Sequence, residues 1–276
     1  MDTYFPISNV TIKYTQDISK LNAPQLIYPN FQVNGNEFFM EVNRVAQYLV
    51  RNGEEIFIHP KDQADPASVH LFLASSIFGA LLHQKCMLPI HGSSFSYNGK
   101  GITIGGKSGV GKSAVVAAFC QNGGTFINDD ITPLKILNNQ TTIIPIKTRL
   151  KLWTDTLDKL KIQNDHLERI RPMMDKFYLP ANDLFAKEQR LDHLFILNIH
   201  NKKEFCVSKL AGLEKYNALR NQIYRKVYLK GMPETSKDYF KQLLRLSMHI
   251  TVKRITRPQI CNIMETMEFI RKEIYE

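Results

Sequence analysis

Short runs in which apolar and polar side chains alternate occupy the first 60 residues, the pattern of β-strands with one buried face. These runs lie at residues 10–15, 31–42 and 55–60. Within the second run, Asn34 and Gly35 supply the residue types that favour a tight hairpin turn. We therefore predict a β-rich N-terminal portion over residues 1–60.

A continuous apolar run follows at residues 71–82, in a segment that begins with helix-start signals. Asp65 can accept hydrogen bonds from free backbone N–H groups, and Pro66 suits the first helical position. These signals predict a helix that ends near residue 84. The apolar run has about 12 residues, whereas a membrane span needs about 20, so we interpret this helix as buried within the protein.

The next stretch has the order strand, hairpin, strand, loop and helix. Residues 88–106 contain two strand-like runs joined by Asn98 and Gly99, a second hairpin signal. The second run leads directly into a glycine-rich loop, after which the pattern predicts a helix over residues 111–121.

That helix is expected to end at Asn122 and Gly123, because both residue types accept the left-handed conformation of a helix end. A short strand then leads to Asp129 and Asp130. We take residues 91–130 as the candidate nucleotide-binding core.

The remainder of the chain mixes both patterns. Strand-like runs occur at residues 141–146, 148–153, 191–200, 204–210 and 250–256. Helical patterns occur at residues 154–162, 212–229, 234–249 and 258–275, and residues 164–190 form a polar region interrupted by proline. The helix at 154–162 is expected to carry an N-terminal cap. A single α/β domain over residues 1–276 fits this order of elements.

Composition narrows the choice of partners. The 276 residues carry a formal charge of +10, which favours anionic partners such as nucleotides or acidic peptides. The basic residues are scattered without a zinc-finger or aromatic RNA-binding signature, so nucleic acid is not an expected partner.

The cysteines show no metal-ligand spacing and indicate free thiols in a reducing compartment. The first nine residues lack a basic region followed by an apolar run, so we expect a cytoplasmic protein without a secretory signal or membrane contact.

The glycine-rich loop has a specific spacing. Gly106, four intervening residues and then Gly111, Lys112 and Ser113 match the Walker A pattern. Its glycines let backbone N–H groups turn toward a phosphate, and the helix dipole adds attraction. Lys112 is predicted to neutralise β- and γ-phosphate oxygens, and Ser113 to ligate Mg²⁺. Lys107 is either a second phosphate contact or a solvated lysine. The predicted nucleotide-binding residues are Gly106, Lys107, Ser108, Gly109, Val110, Gly111, Lys112, Ser113 and Ala114.

The two acids after the loop are the candidate catalytic carboxylates. A carboxylate that accepts a hydroxyl proton and orients the nucleophile is what phosphoryl transfer requires. Neighbours on a regular strand face opposite ways, so only one of the two would face the phosphate unless the strand ends there. The alternative to a catalytic role is that the two aspartates ligate a metal or simply form the turn at the end of the strand. His91 precedes the same hairpin and has either a site role or a structural one. We predict His91, Asp129 and Asp130 as catalytic residues, and Ser113 and Asp130 as metal ligands.

Other classes of nucleotide-dependent protein carry different signatures. A GTPase would show Asn-Lys-x-Asp, and the nearest match, at residues 201–204, ends in glutamate. A motor or helicase would have a longer chain, an apolar run into Asp-Glu and arginine fingers on later motifs, and the sequence shows none of these. A kinase is the interpretation that these comparisons favour.

Residues 91–130 resemble the core of HPr kinase/phosphorylase, bacterial enzymes that phosphorylate a serine of a protein. The likeness lies in the ordered set of His-Gly, hairpin, phosphate loop, helix and Asp-Asp. It implies the fold shared with phosphoenolpyruvate carboxykinases, a P-loop within a mixed, largely antiparallel sheet, and it implies ATP and Mg²⁺. It also implies that His91 and Asp129 form the catalytic pair, with Asp130 beside them. Ala114 departs from the family, which usually has glutamate there.

Two further segments, residues 148–155 and 250–258, are similar to stand-alone members of that family, including kinases that phosphorylate lasso-peptide precursors. The resemblance implies a serine of a peptide or protein as acceptor. The family's later glycine-rich signature and its docking helix for HPr are missing, so HPr is not the expected acceptor. Arg149 and Lys151 would bind a phosphate or an acidic substrate, with exposed strand charges as the alternative.

Two other functions remain open from the sequence. One is a regulatory protein that binds a nucleotide without phosphoryl transfer, and the other is a kinase for a small molecule such as free serine. The expected partners are a nucleoside triphosphate and an acceptor. The sequence does not determine the oligomeric state, and a homo-oligomer is one of the open alternatives.

Overall fold

The structure is a computed structural model of the 276-residue chain. It describes residues 7, 9–137, 140–146, 149–179 and 187–276. Its strands are β1 (Thr11–Tyr14), β2 (Leu26–Tyr28), β3 (Phe31–Asn34), β4 (Glu37–Val42), β5 (Ala46–Arg51), β6 (Glu55–Pro60), β7 (Leu88–Tyr97), β8 (Lys100–Gly106), β9 (Thr125–Asn128), β10 (Ile131–Leu137), β11 (Gln140–Ile143), β12 (Leu150–Trp153), β13 (Lys176–Leu179), β14 (Gln189–His200), β15 (Cys206–Lys209) and β16 (Thr251–Pro258).

The helices alternate with these strands along the chain. They are α1 (Pro66–Phe72), α2 (Phe78–Gln84), α3 (Lys112–Gln121), α4 (Thr154–Lys159), α5 (Gly212–Asn221), α6 (Pro233–His249) and α7 (Ile263–Glu273). A π-helical turn, Leu73–Ile77, joins α1 to α2, and a 3₁₀ helix occupies Lys226–Gly231.

Contacts within the chain define two compact units. The first contains the described residues up to Pro89 together with Ile223–Gln242, and the second contains those of Ile90–Gln222 and Leu243–Glu276. That residues 1–276 act as one catalytic domain stays a prediction.

The first unit is built on a six-stranded sheet in the order β1-β6-β5-β4-β3-β2. The β1–β6 pair is parallel and the other pairs are antiparallel. The predicted hairpin is confirmed, but its loop residues are Gly35 and Asn36, one position later than expected. The strands at residues 26–28 and 46–51 were not predicted, although a hairpin signal, Asn52 and Gly53, directly follows the second of them.

The predicted helix after the first sheet is confirmed, with Asp65 accepting from the backbone N–H of Ser68 at 2.9 Å and Pro66 in the first turn. It continues through the π-helical turn to Gln84, so the predicted end near residue 84 is confirmed. Pro66–Gln84 has 19 residues and a mean hydropathy of 1.3, enough by length and composition to cross a membrane, yet 56% of it is buried. Buried core helices pass the same test, so this is weak evidence for a membrane segment.

The second unit is built on a mixed sheet in the order β11-β10-β7-β8-β14-β16-β15, with β9 also paired to β7. Strands β8, β14 and β16 run parallel, while β7–β8, β7–β9, β10–β11 and β15–β16 are antiparallel. The predicted mixed, largely antiparallel α/β architecture is confirmed. Its core lies between the sheet and helices α3 and α7, where Phe95 and Phe119 stack with ring centroids 4.5 Å apart.

Several predicted elements differ from the structure, among them the helix predicted at 258–275, which begins at Ile263 because β16 extends to Pro258. The helix predicted at 212–229 ends at Asn221, because the chain turns there and Arg225 has a φ of 50°. Helix α4 lacks the predicted cap, since Trp153 occupies the N-cap position and makes no side-chain capping bond. The polar region at 164–190 contains β13, which pairs with β12 as an antiparallel ribbon.

Candidate active site

The glycine-rich loop joins the end of β8 at Gly106 to the start of α3 at Lys112. Gly106, Gly109 and Gly111 have φ values of 137°, 81° and 104°, in the region that residues with a Cβ disfavour. At Gly106, a Cβ would lie 2.5 Å from the carbonyl oxygen of Leu197, so the neighbouring strand leaves room for glycine alone. No described side chain caps the start of α3, and its first N–H groups can therefore receive an anion.

Lys112 directs its ammonium group back toward this loop. Its side chain is buried, and Nζ donates to the carbonyl oxygens of Gly106 and Lys107 at 3.1 and 3.2 Å. Burial lowers the pKa of Lys112, and the charges of Asp130 and Asp129 oppose that shift. Lys107, in contrast, is exposed. The two lysines of the loop therefore occupy different environments.

His91, on β7, links Lys112 to the aspartate pair. Its Nδ1 lies 3.2 Å from the backbone carbonyl oxygen of Asp130, and its Nε2 lies 3.3 Å from Nζ of Lys112. Both contacts are hydrogen bonds when Nδ1 carries the proton and Nε2 accepts from the ammonium group. The geometry therefore favours a neutral imidazole. The backbone N–H of His91 also donates to the carbonyl oxygen of Gln222 at 2.6 Å.

Asp129 is buried and accepts hydrogen bonds on both carboxylate oxygens. Its Oδ1 accepts from the hydroxyl groups of Ser93 and Ser113 at 2.6 and 2.8 Å. Its Oδ2 accepts from the backbone N–H of Lys151 at 3.0 Å. Burial, and after it the charge of Asp130, raises the pKa of Asp129. Asp129 thus joins the first turn of α3 to β7 and β12.

Asp130 lies in the turn between β9 and β10 with a φ of 65°, so strand alternation does not decide where it faces. Its side chain is 34% exposed, and Oδ2 lies 2.9 Å from Nζ of Lys151. Burial alone would raise the pKa of Asp130, but the charge of Lys151 lowers it to about 2. The pKa of Lys151 is in turn raised, because the two aspartates outweigh the effect of its burial.

The oxygen ligands around Ser113 fit a magnesium ion that is coordinated mainly by phosphate oxygens. Among the residues that the structure describes, no group of three His, Cys, Asp or Glu side chains could hold a metal. Mg²⁺ commonly takes only one or two protein ligands and completes its shell with phosphates and water. Because the Ser113 hydroxyl donates its proton to Asp129, its lone pairs are free for a cation. Ser113 and Asp130 could therefore supply the protein ligands.

Of the two predicted substrate-binding residues, Lys151 reaches the aspartate pair. Arg149 lies one residue earlier than β12, with its guanidinium carbon 3.6 Å from the ring centroid of Tyr178 and Nη1 2.5 Å from Glu168. The structure thus places Arg149 at an aromatic ring and an exposed ion pair. Its predicted role in binding a phosphate or an acidic substrate stays a prediction.

The structure also adds contacts that sequence reasoning missed. Ser93 lies two residues after His91, and strand alternation could have placed both on one face. Arg257 donates to the carbonyl oxygen of Val110 at 3.1 Å. The Gln222 side-chain oxygen accepts from the backbone N–H of Gly106 at 2.7 Å. Nothing in the polar sequence around Gln222 predicts that it contacts the loop.

Replacing Gln222 with alanine is expected to weaken ATP binding by about tenfold, because the Gly106 N–H loses its acceptor and the loop loses a fixed point. Isothermal titration calorimetry with ATP and Mg²⁺ measures the change. Asn221→Ala, which removes the neighbouring exposed amide, is the control and should bind ATP like the parent protein. Equal affinity in Gln222→Ala would mean that the loop holds its shape without this contact.

Comparisons with known proteins leave the family open. No family model and no curated protein matches this sequence. A matching solved structure is the HPr(Ser) kinase/phosphatase from Coxiella burnetii, with 13% sequence identity and a TM-score of 0.36, covering 67% of this chain and 89% of that chain. A similarity of this size carries no argument about activity or family, so we base the function on the contacts of the site. Membership of the HPr kinase-like family stays a prediction.

Proposed function

We propose that this protein is a kinase that uses ATP and Mg²⁺ and transfers the γ-phosphoryl group to a serine hydroxyl of a peptide or protein. The observation that carries the proposal is the 2.8 Å hydrogen bond between Ser113 of the loop and Asp129. This contact joins Asp129, and with it the neighbouring Asp130, to the first turn of the helix that follows the loop. It supports a position of the pair near the third phosphate of a bound nucleotide. Nucleotide binding alone would not require this pair.

The residues of the loop would hold the donor. The free N–H groups at the start of α3 and the ammonium group of Lys112 would bind the phosphates, and Ser113 and Asp130 would hold Mg²⁺. When bound, Mg²⁺ supplies neutralisation of charge on the phosphate oxygens. The hydrogen bond from Ser113 to Asp129 would fix the hydroxyl for that purpose.

The acceptor hydroxyl would meet Asp130, the more exposed member of the pair. A new bond joins the serine oxygen to the γ-phosphorus, and the bond from that phosphorus to the bridging oxygen breaks. The hydroxyl proton passes to the Asp130 carboxylate, and ADP leaves. With a pKa of about 2, Asp130 is a weak base, so its main contribution would be to orient the hydroxyl, as a loose transition state permits.

The ion pair between Asp130 and Lys151 favours a second candidate, a regulatory protein that binds ATP without transfer, because the pair neutralises the carboxylate that would orient the acceptor. A kinase for a small molecule such as free serine is a third. A lasso-peptide precursor is the acceptor that the resemblance to stand-alone kinases implies.

One assay separates these candidates. Protein, ATP and Mg²⁺ are incubated with serine peptides, with the same peptides carrying alanine in place of serine, or with free serine, and the products are analysed by mass spectrometry. We expect phosphate on the serine peptides alone, and loss of product when Mg²⁺ is chelated. ATP that is bound and returned intact would support the regulatory candidate. Phosphoserine from free serine, without phosphopeptide, would support the small-molecule kinase.

A further inference from the structure

We propose that one face of the β12–β13 ribbon binds the acceptor peptide and prefers a peptide with acidic side chains beside the serine. This face, called here the ribbon outer face, consists of Lys151, Trp153, Lys176 and Tyr178. The inference rests on the proposed function, because it concerns the acceptor of that same site.

The ribbon has two chemically different faces. Its register pairs Lys151 with Tyr178 and Trp153 with Lys176, so these four side chains share one face. The alternate positions are Leu150, Leu152, Phe177 and Leu179, which pack into the core together with α3. The ribbon outer face is more open at its other end: Lys151 is buried beside the aspartate pair, Lys176 and Tyr178 are half-buried, and Trp153 is exposed. The part around Trp153 and Lys176 is therefore accessible to a partner.

One end of the ribbon outer face lies at the aspartate pair, where we propose that the phosphoryl group is transferred. Lys151 contacts Asp129 through its backbone N–H and Asp130 through its ammonium group. A peptide whose hydroxyl lies at Asp130 would extend along this face.

The charges and rings of this face indicate the chemistry of its ligand. Among the described residues, Lys176 has no carboxylate at ion-pair distance, and its Nζ lies 5.5 Å from the ring centroid of Trp153. Trp153 is 49% exposed, and Arg149 stacks on Tyr178. Lys176, which has no carboxylate partner among the described residues, lies beside an exposed indole ring, and this combination suits a segment with acidic and apolar side chains.

The chain offers a direct probe of this face, because Trp153 is its only tryptophan. Terminally blocked serine peptides are titrated against the protein without ATP, and the fluorescence of Trp153 is followed. One peptide has glutamates beside the serine, and its match has glutamines. We expect the glutamate peptide to change the fluorescence and to bind at least about fivefold more tightly than its match.

Variants then assign the preference to Lys176. Lys176→Gln should weaken binding of the glutamate peptide by about fivefold and leave the glutamine peptide unchanged. Lys203→Gln, which removes an exposed lysine of a turn, is the control and should change neither. Equal binding of the two peptides to the parent protein would overturn the proposal.

The same signal separates this proposal from its alternatives. A non-hydrolysable ATP analogue with Mg²⁺ that changes the fluorescence of Trp153, with no further change from the glutamate peptide, would assign the face to the nucleotide and overturn peptide docking. If the glutamate peptide binds and is never phosphorylated, docking is supported and the kinase function fails. Transfer to glutamate and glutamine peptides with equal KM would leave the kinase function standing and overturn the acidic preference.

Discussion

Replacing Lys112 with glutamine is expected to lower the rate of phosphoryl transfer by about a thousandfold, the loss seen when a preorganised charge at a transition state is removed. The Lys112 side chain is buried and points into the loop, where its ammonium group lies within hydrogen-bond distance of two carbonyl oxygens and His91. Glutamine retains hydrogen-bonding capacity without the charge. The measurement is the initial rate of phosphopeptide formation at saturating ATP and peptide.

Lys107→Gln is the matched control, because it removes the same charge from an exposed position in the same loop. We expect its rate to stay within about threefold of the parent, as for a screened surface charge. Similar losses in both variants would mean that overall loop charge matters rather than the position of Lys112. A thermal melting curve of each variant shows whether the loop change also disturbs folding.

The parts of the fold that the sequence predicted are those set by local chemistry. Asn98 and Gly99 have φ values of 47° and 76°, as a two-residue hairpin turn requires, and these residue types tolerate that backbone. The order of strand, glycine-rich loop and helix was predictable for the same reason. The glycines mark the positions at which the backbone of the loop has a positive φ.

The parts that could not be predicted depend on contacts between distant residues. Strand β13 lies in a polar region and exists because its register with β12 buries Phe177 beside Leu152. The helix predicted at 212–229 ends at Asn221, and Gln222 then contacts both His91 and the loop. Neither the pairing of β13 with β12 nor the contacts of Gln222 produce a hydrophobic periodicity that can be recognised in the sequence.

The candidate site shows the same division. The motif and the Asp pair could be found by spacing, but the sequence offered no way to tell one aspartate from the other. The structure distinguishes Asp129, with its oxygens occupied by three donors, from Asp130, which is a third exposed and paired with Lys151. The two residues are therefore expected to respond differently to the same substitution.

Asp130→Asn is expected to lower phosphoryl transfer by at least about a hundredfold, because the acceptor hydroxyl loses the carboxylate that orients it. The free energy of unfolding should change less than in Asp129→Asn, because the asparagine oxygen can still accept a hydrogen bond from the ammonium group of Lys151. Affinity for ATP measured without Mg²⁺ should change little, because the loop and Lys112 remain. Peptide phosphorylation, calorimetry with ATP and a denaturant titration measure the three quantities. A variant with full activity would remove Asp130 from the reaction.

Asp129→Asn is expected to act first on folding. If the amide oxygen keeps the hydrogen bond from the Lys151 N–H, the amide NH₂ group faces Ser93 and Ser113, and their hydroxyl protons lose the acceptor that Oδ1 supplied. A buried donor without an acceptor costs about 1–3 kcal/mol, which lowers the melting temperature by about 2–10 °C in a protein of this size. Transfer should fall as well, because Ser113 loses its fixed position. Melting temperatures that are equal in the two variants would contradict the division of roles, since only Asp129 is enclosed by donors on both oxygens.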